Sequence, residues 1–251
     1  MRLAHRLRAL ADAIGRLGVG TGLLYALATV ISRASRGRVR ILRYHFVAQP
    51  LSPPAQPASR VNSTVIRRVG PDDPLVAQFP RPQNVIANRF RMGAVCIAAE
   101  RDGKFVGFLW IKESRYPEDE VRCLYVLEPS DVAVWDFDVH VEPAYRLSRK
   151  FARLWDSANE WMHERDYRWT ISRISAFNRE SLAAHRRLGI RRIGTATFLR
   201  VGTAQLALLD RAPFVHASWR DAQAPMLRLR PPRDGQARYN AQQYAIFKKD
   251  R

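Results

Sequence analysis

Between residues 94 and 142 the apolar positions fall in short runs of strand length, and the last of these, 132–142, alternates with the period of two that a half-buried β-strand requires. Residues 94–99 and 104–111 flank Asp102-Gly103, a dipeptide that tolerates positive φ, and together they predict an antiparallel hairpin. Residues 121–127 predict a further strand. The run 132–142 sets Ala133, Trp135, Phe137, Val139 and Val141 on one face and Asp136, Asp138, His140 and Glu142 on the other, with Val132 and Val134 as apolar exceptions. Pro143 ends this strand and the period changes. Leu147, Phe151, Leu154, Trp155, Ala158, Trp161 and Met162 recur at helical spacing, which predicts a helix over 145–164. Residues 168–176 read as strand again. Strand, helix and strand from 132 to 176 make a crossover with parallel strands, and the helix N-terminus then sits at the carboxyl end of the first strand.

The flanks complete an α+β chain with a mixed, mainly antiparallel sheet, a β-α-β crossover and flanking helices. Residues 38–47 alternate like a strand, whereas Pro50, Pro53, Pro54 and Pro57 make 48–59 a linker that cannot pair in a central sheet. Residues 63–69 predict a strand and 72–92 short helical segments broken by prolines. After Asn178, residues 179–188 predict a helix closed by Gly189 in the left-handed region. Residues 192–201 and 205–209 predict closing strands, and from Trp219 onward polar, Pro- and Arg-containing sequence predicts a loosely ordered tail. The expected division is an extension over 1–60, a domain over 61–218 and a tail over 219–251.

Charge changes the picture at the N-terminus. Leu3, Leu7, Leu10, Ile14 and Leu17 recur at helical spacing with arginines between them, compatible with a helix lying on an anionic membrane, or packed on the domain or on a second copy. The apolar stretch 17–31 falls short of the roughly 20 residues of a spanning helix, contains Gly18, Gly20 and Gly22, and is followed by Arg33, Arg36, Arg38 and Arg40. It is not read as spanning. The expected location is cytoplasmic, on the inner face of a membrane if the basic helix docks there. The whole chain has a formal charge of +19, so its surface attracts anions, among them CoA phosphates, nucleic acid and acidic lipid. No recognition helix, zinc finger or aromatic RNA-binding motif accompanies the charge, which argues against nucleic acid. Cys96 and Cys123 lack Cys or His neighbours at metal-ligand spacing, so neither a zinc site nor a disulfide framework is expected, and no metal is called for.

The chemistry concentrates around the crossover. Unpaired N–H groups and the positive dipole end of a helix N-terminus bind phosphate. Arg146, Leu147, Ser148, Arg149 and Lys150 occupy that position, and cations there oppose the dipole unless an anion relieves the conflict. A solvated basic face is the plainer alternative. On the preceding strand, four ionisable groups in a row between Trp and Phe are costly to bury without partners, which favours a polar cleft.

Residues 141–146, Val-Glu-Pro-Ala-Tyr-Arg, resemble the end of the fourth strand and the start of the pyrophosphate loop of the GNAT superfamily of acyl-CoA-dependent N-acyltransferases. Arg146 matches the first position of that loop, while Arg149 and Phe151 stand where the family carries glycines. A second segment, Asn178-Arg179-Glu180-Ser181, then His185, then Leu188-Gly189-Ile190, resembles the family's Asn-containing helix in order and spacing. The resemblance covers roughly residues 63–201. It implies acetyl-CoA or another acyl-CoA as co-substrate and an amine as acceptor. It further implies that Arg146, Leu147, Ser148, Arg149, Lys150 and Phe151 form the phosphate-binding turn and that Asn178 and Ser181 contact the cofactor. The amine would be deprotonated by Asp138 or His140, the thioester carbonyl polarised by backbone N–H groups of Val139 to Val141, and the departing thiolate protonated by His185, which stands at the family's tyrosine position. Two readings compete: a non-catalytic acyl-CoA-binding module, favoured by the missing glycines, and a basic peripheral membrane or nucleic-acid-binding protein. A homodimer is compatible with each.

Overall fold

A computed structural model describes residues 14–15, 17–51, 64–145, 150–187 and 189–233. In chain order its elements are helix α1 (Val19–Ala34), strands β1 (Val39–Pro50) and β2 (Thr64–Val69), helix α2 (Gln83–Arg91), strands β3 (Val95–Arg101), β4 (Lys104–Glu113), β5 (Arg115–Pro117), β6 (Leu124–Leu127) and β7 (Ala133–Val141), helix α3 (Lys150–His163), strand β8 (Trp169–Ser175), helix α4 (Arg179–Arg187), and strands β9 (Arg191–Val201), β10 (Ala204–Leu209), β11 (Val215–Ser218) and β12 (Met226–Leu229). They form two compact units of interleaved sequence. The first draws on residues 1–49, 117–126 and 173–251, the second on 50–116 and 127–172.

The second unit holds the hairpin. Asp102 and Gly103 take φ of 52° and 73°, the pair of positive values that a type I′ turn needs, and β3 and β4 pair antiparallel across them. β2 joins β3 antiparallel and β7 joins β4 antiparallel. β8 pairs with β7 in parallel, with α3 between them in sequence, so the crossover is present in a mixed, mainly antiparallel sheet and the fold is α+β. The apolar stripe of α3 works as its spacing implies: Leu154, Trp155, Ala158 and Met162 are buried against Leu109, Ile111 and Val134. The opposite sheet face carries Phe105, Phe108 and Trp110 under Ile86 of α2 and Leu75 of the short 3-10 turn Pro74–Gln78. Each such side chain contributes roughly 1.5–3 kcal/mol when fully buried. Of the helix expected over 145–164, Lys150–His163 is described as α3, and Tyr145 lies in the 3-10 turn Pro143–Tyr145.

Gly107 sits where β4 meets β7. A Cβ there would stand 2.6 Å from the His140 carbonyl oxygen, which is backbone and cannot swing away. Gly107→Ala is therefore expected to destabilise the protein by about 1–3 kcal/mol. The midpoint of urea unfolding measures it, and an unchanged midpoint would show that β7 yields.

In the first unit β1 pairs antiparallel with β9 from Val39↔Val201 to Ala48↔Arg191, β9 with β10, and β10 with β11. The linker expectation over 48–59 needs correcting at its start: Ala48 is fully buried and paired, and β1 ends at Pro50. Residues 226–229, which composition assigns to a loose tail, form β12, with Leu227 and Leu229 buried and the Leu124 N–H donating to the Pro225 carbonyl at 2.9 Å. The core of this unit holds an ion pair. Arg173 donates to both Glu118 oxygens at 2.8 and 2.7 Å, its guanidinium lies 4.2 Å from the Tyr44 ring centroid, and the Tyr44 hydroxyl donates to Glu120 at 2.5 Å. Burial pushes Glu118 above the usual carboxylate range, with Arg173 pulling the other way.

Cys96 and Cys123 are free and buried, and burial raises both thiols. Among the described residues no group of three or more His, Cys, Asp and Glu side chains is placed to hold a metal ion, and no helix is long and apolar enough to cross a membrane.

Candidate functional site

β7 and β8 run together at Ala133↔Trp169, Val134↔Thr170 and Trp135↔Ile171. Among the described residues β7 then continues to Val141 against β4. In this stretch the ladder is irregular: Phe108 faces His140 and Trp110 faces Phe137, so Asp138 and Val139 together stand opposite Leu109. Asp138 takes φ of 47°, the left-handed value of a bulge residue.

The bulge reverses the side-chain parity of β7. Val134 and Val139 pack on the α3 side of the sheet, whereas Phe137 packs with Phe108 and Trp110 on the other side, where His140 lies against the Phe105 and Phe108 rings. The expectation that Asp136, Asp138, His140 and Glu142 share one face therefore fails at Asp136. The period-two pattern implies a regular ladder, and one inserted residue leaves Asp136 on the face it shares with Val134.

Asp136 follows the last β7–β8 pair directly and is buried. Burial drives its carboxyl up to about 7, against the opposing pull of the Thr170 and Ser172 hydroxyls, and Oδ1 has no hydrogen-bond partner among the described residues. Asp138 is differently placed. Arg81 donates to both of its oxygens, through Nε at 2.8 Å to Oδ2 and through Nη2 to Oδ1, and the buried Arg89 donates to Oδ2 at 2.5 Å. Arg89 is itself held 5.3 Å from the Trp110 and Phe137 ring centroids. His140 is half-buried and lies 3.2 Å from Glu142 through Nε2. With Nε2–H donating to that carboxylate, Nδ1 carries the lone pair of the neutral ring.

Val139 and Val141 lie on the part of β7 that has left β8. Arg146, Leu147, Ser148 and Arg149 fall outside the described residues, and Lys150 and Phe151 belong to α3. In the first unit, Asn178 caps α4: its Oδ1 accepts from the Ser181 N–H at 3.0 Å. His185 donates from Nδ1 to the Ser181 carbonyl at 2.7 Å, because a carbonyl can only accept, and this leaves Nε2 unprotonated in the neutral ring. Gly189 closes the helix with φ of 76°, as its position implies. The structure thus brings Asp138, Val139, His140 and Val141 together on one strand and Asn178, Ser181 and His185 on one helix. Sequence reasoning missed the Arg81 and Arg89 clamp on Asp138, since those partners are 57 and 49 residues away. The His140–Glu142 contact was open to it through the i, i+2 spacing alone.

No protein-family model and no curated protein matches this sequence. Solved structures do. A functionally unknown conserved protein from Staphylococcus epidermidis is 11% identical over 69% of this chain and 67% of its own, with a TM-score of 0.44. A GNAT-family protein from Novosphingobium aromaticivorans is 15% identical over 63% of each chain, with a TM-score of 0.43. Ribosomal-protein-alanine N-acetyltransferase from Brucella melitensis is 21% identical over 41% of this chain and 74% of its own, with a TM-score of 0.31. Acetyltransferases of the GNAT type thus recur among the structures to which the chain is similar, at low identity.

Proposed function

We propose that the chain is an acyl-CoA-dependent N-acyltransferase of the GNAT type, passing an acyl group, acetyl in the simplest case, from the CoA thioester directly to an amine. The observation that carries this reading is the parallel pair β7–β8, which ends after three registered positions while β7 runs on with a bulge and an oriented histidine. Strands that separate in this way open one backbone edge to a ligand, and the helix following the first strand offers its N-terminus to phosphate. Arg146 to Phe151 are the proposed phosphate-binding turn, and the N–H groups of Val139 to Val141 the proposed donors to the thioester oxygen. Asn178 and Ser181 are proposed cofactor contacts by the resemblance of their segment.

Of the two candidates for the base, His140 fits better. Both Asp138 oxygens are engaged by guanidinium groups, so this carboxylate serves best as an anchor that fixes the bulge. His140 has a carboxylate orienting one nitrogen and a lone pair on the other, the arrangement by which a neutral imidazole accepts a proton from an attacking nucleophile. His140→Gln is expected to lower kcat by about 10²-fold while leaving acyl-CoA affinity within a factor of two or so. Thiol release across a panel of amines, together with calorimetric titration of acetyl-CoA, tests it. Binding without turnover for any amine favours the non-catalytic module that the missing glycines suggest, and absence of binding overturns both.

His185 is the proposed acid toward the departing thiolate. Because its Nδ1–H is committed to the Ser181 carbonyl, it delivers a proton from Nε2 only as the imidazolium. His185→Ala is expected to slow turnover by about 10²-fold, with partial recovery in His185→Tyr, which restores a donor at this position. Equal turnover in all three folded proteins would assign protonation to solvent.

A further inference from the structure

Helix α1 presents an outward face without a polar side chain. Val19, Leu23, Leu27 and Val30 are 65%, 49%, 51% and 64% exposed, and Ala34 continues the row. Spacings of four, four, three and four residues put them on a single stripe. The helix packs through its other side, where Gly22 and Ala28 are buried and Tyr25 meets the Phe177 ring at 5.4 Å. From Leu17 to Ser32 there is no charged residue at all. Soluble surfaces rarely carry a contiguous apolar row of this kind without a partner.

Charge says which partner. Arg33, Arg36 and Arg38 follow the stripe and are exposed, and no ion pair reaches them among the described residues. No acidic residue occurs between Ala13 and Pro71, so the stripe is embedded in purely basic sequence. A second copy seated on this face would bring like charges together, at a cost. An anionic surface is complementary. At 16 residues α1 spans about 24 Å, short of the roughly 30 Å hydrocarbon core, so it suits lying in an interface rather than crossing one.

We propose that the outward face of α1 docks on an anionic lipid bilayer, with Val19, Leu23, Leu27 and Val30 entering the headgroup boundary and Arg33, Arg36 and Arg38 meeting lipid phosphates. This site is independent of acyl transfer and stands or falls without it. Its specificity is for a negatively charged membrane, because the apolar row is short and each arginine near such a surface contributes about fivefold in partitioning.

The test is co-sedimentation of the full chain with vesicles of phosphatidylcholine alone and of phosphatidylcholine with about 30% phosphatidylglycerol, at low and high salt. The unaltered protein is expected to partition at least about tenfold more strongly onto the anionic vesicles, with the difference shrinking in high salt. Leu23→Gln with Leu27→Gln, both at exposed positions and so harmless to the fold, should reduce that partitioning about tenfold or more. Arg33→Gln, Arg36→Gln and Arg38→Gln together should abolish the preference for the anionic lipid. Sedimentation unchanged by the leucine pair overturns the proposal. So does a concentration-dependent dimer in light scattering that the leucine pair dissolves, which would make the face a contact between copies.

Discussion

Asp136→Asn is expected to make the protein more stable above neutral pH, by up to about 4 kcal/mol at 1.36 kcal/mol per pKa unit. The cause is the carboxyl that burial lifts from 3.8 to about 7. A carboxyl whose folded value is raised holds its proton in the folded state at a pH where the unfolded chain has released it, so folding stability falls as pH rises from about 4 to about 7 and stays low beyond. Asparagine keeps the shape and cannot ionise. The two proteins should therefore match near pH 4 and diverge through neutrality, with only the wild type sloping, as urea unfolding at several pH values would show. Parallel curves would mean that Asp136 ionises freely, through water that reaches Oδ1.

Arg173→Met should be the most damaging single change in the first unit, at about 3–5 kcal/mol. Glu118 keeps only 1% of its side chain exposed and has Arg173 as its bidentate partner. Without the guanidinium, a carboxyl that burial already raises loses the charge that pulls it back down. Acid should then partly rescue the variant, because protonation removes the uncompensated charge. Adding Glu118→Met ought to recover most of the loss, since an apolar pair of similar volume replaces a buried ion pair at little net cost. Urea midpoints of both single variants and the double variant decide the matter. If the double variant is no better than Arg173→Met, the Tyr44 ring contact at 4.2 Å carries more of the energy than the ion pair does.

Local signals were enough for most of the fold. Asp102-Gly103 announced its turn because few residue pairs adopt two positive φ values cheaply, and Leu154, Trp155, Ala158 and Met162 announced α3 because their spacing matches one helical face. The strand–helix–strand order then required a parallel pair. What stayed illegible depends on partners far along the chain. β1 finds β9 across some 150 residues, as in His45 to Thr195. β12 is only four residues long and two of its side chains point inward, so polar composition hid it. At the candidate site, His140 and Glu142 could be seen as neighbours on one strand, and Asn178 as a helix cap, because both relations are local. The bulge could not. No glycine marks it, and Asp138 tolerates its positive φ because two arginines, one from α2 and one from the loop before it, hold the carboxylate in place.

That bulge divides β7 as a spliced rope is divided: the two halves share one line and differ in phase. Ahead of it, odd positions look toward the aromatic cluster. Past it, even positions do, and His140 is one of them. The orientation of the imidazole is thus set by the number of residues in the strand rather than by its neighbours in sequence. Without the bulge, a ladder of the same length would turn His140 through to the α3 side, away from the rings of Phe105 and Phe108, whereas removing one residue at 138–139 would restore a regular ladder and leave His140 opposite Phe108.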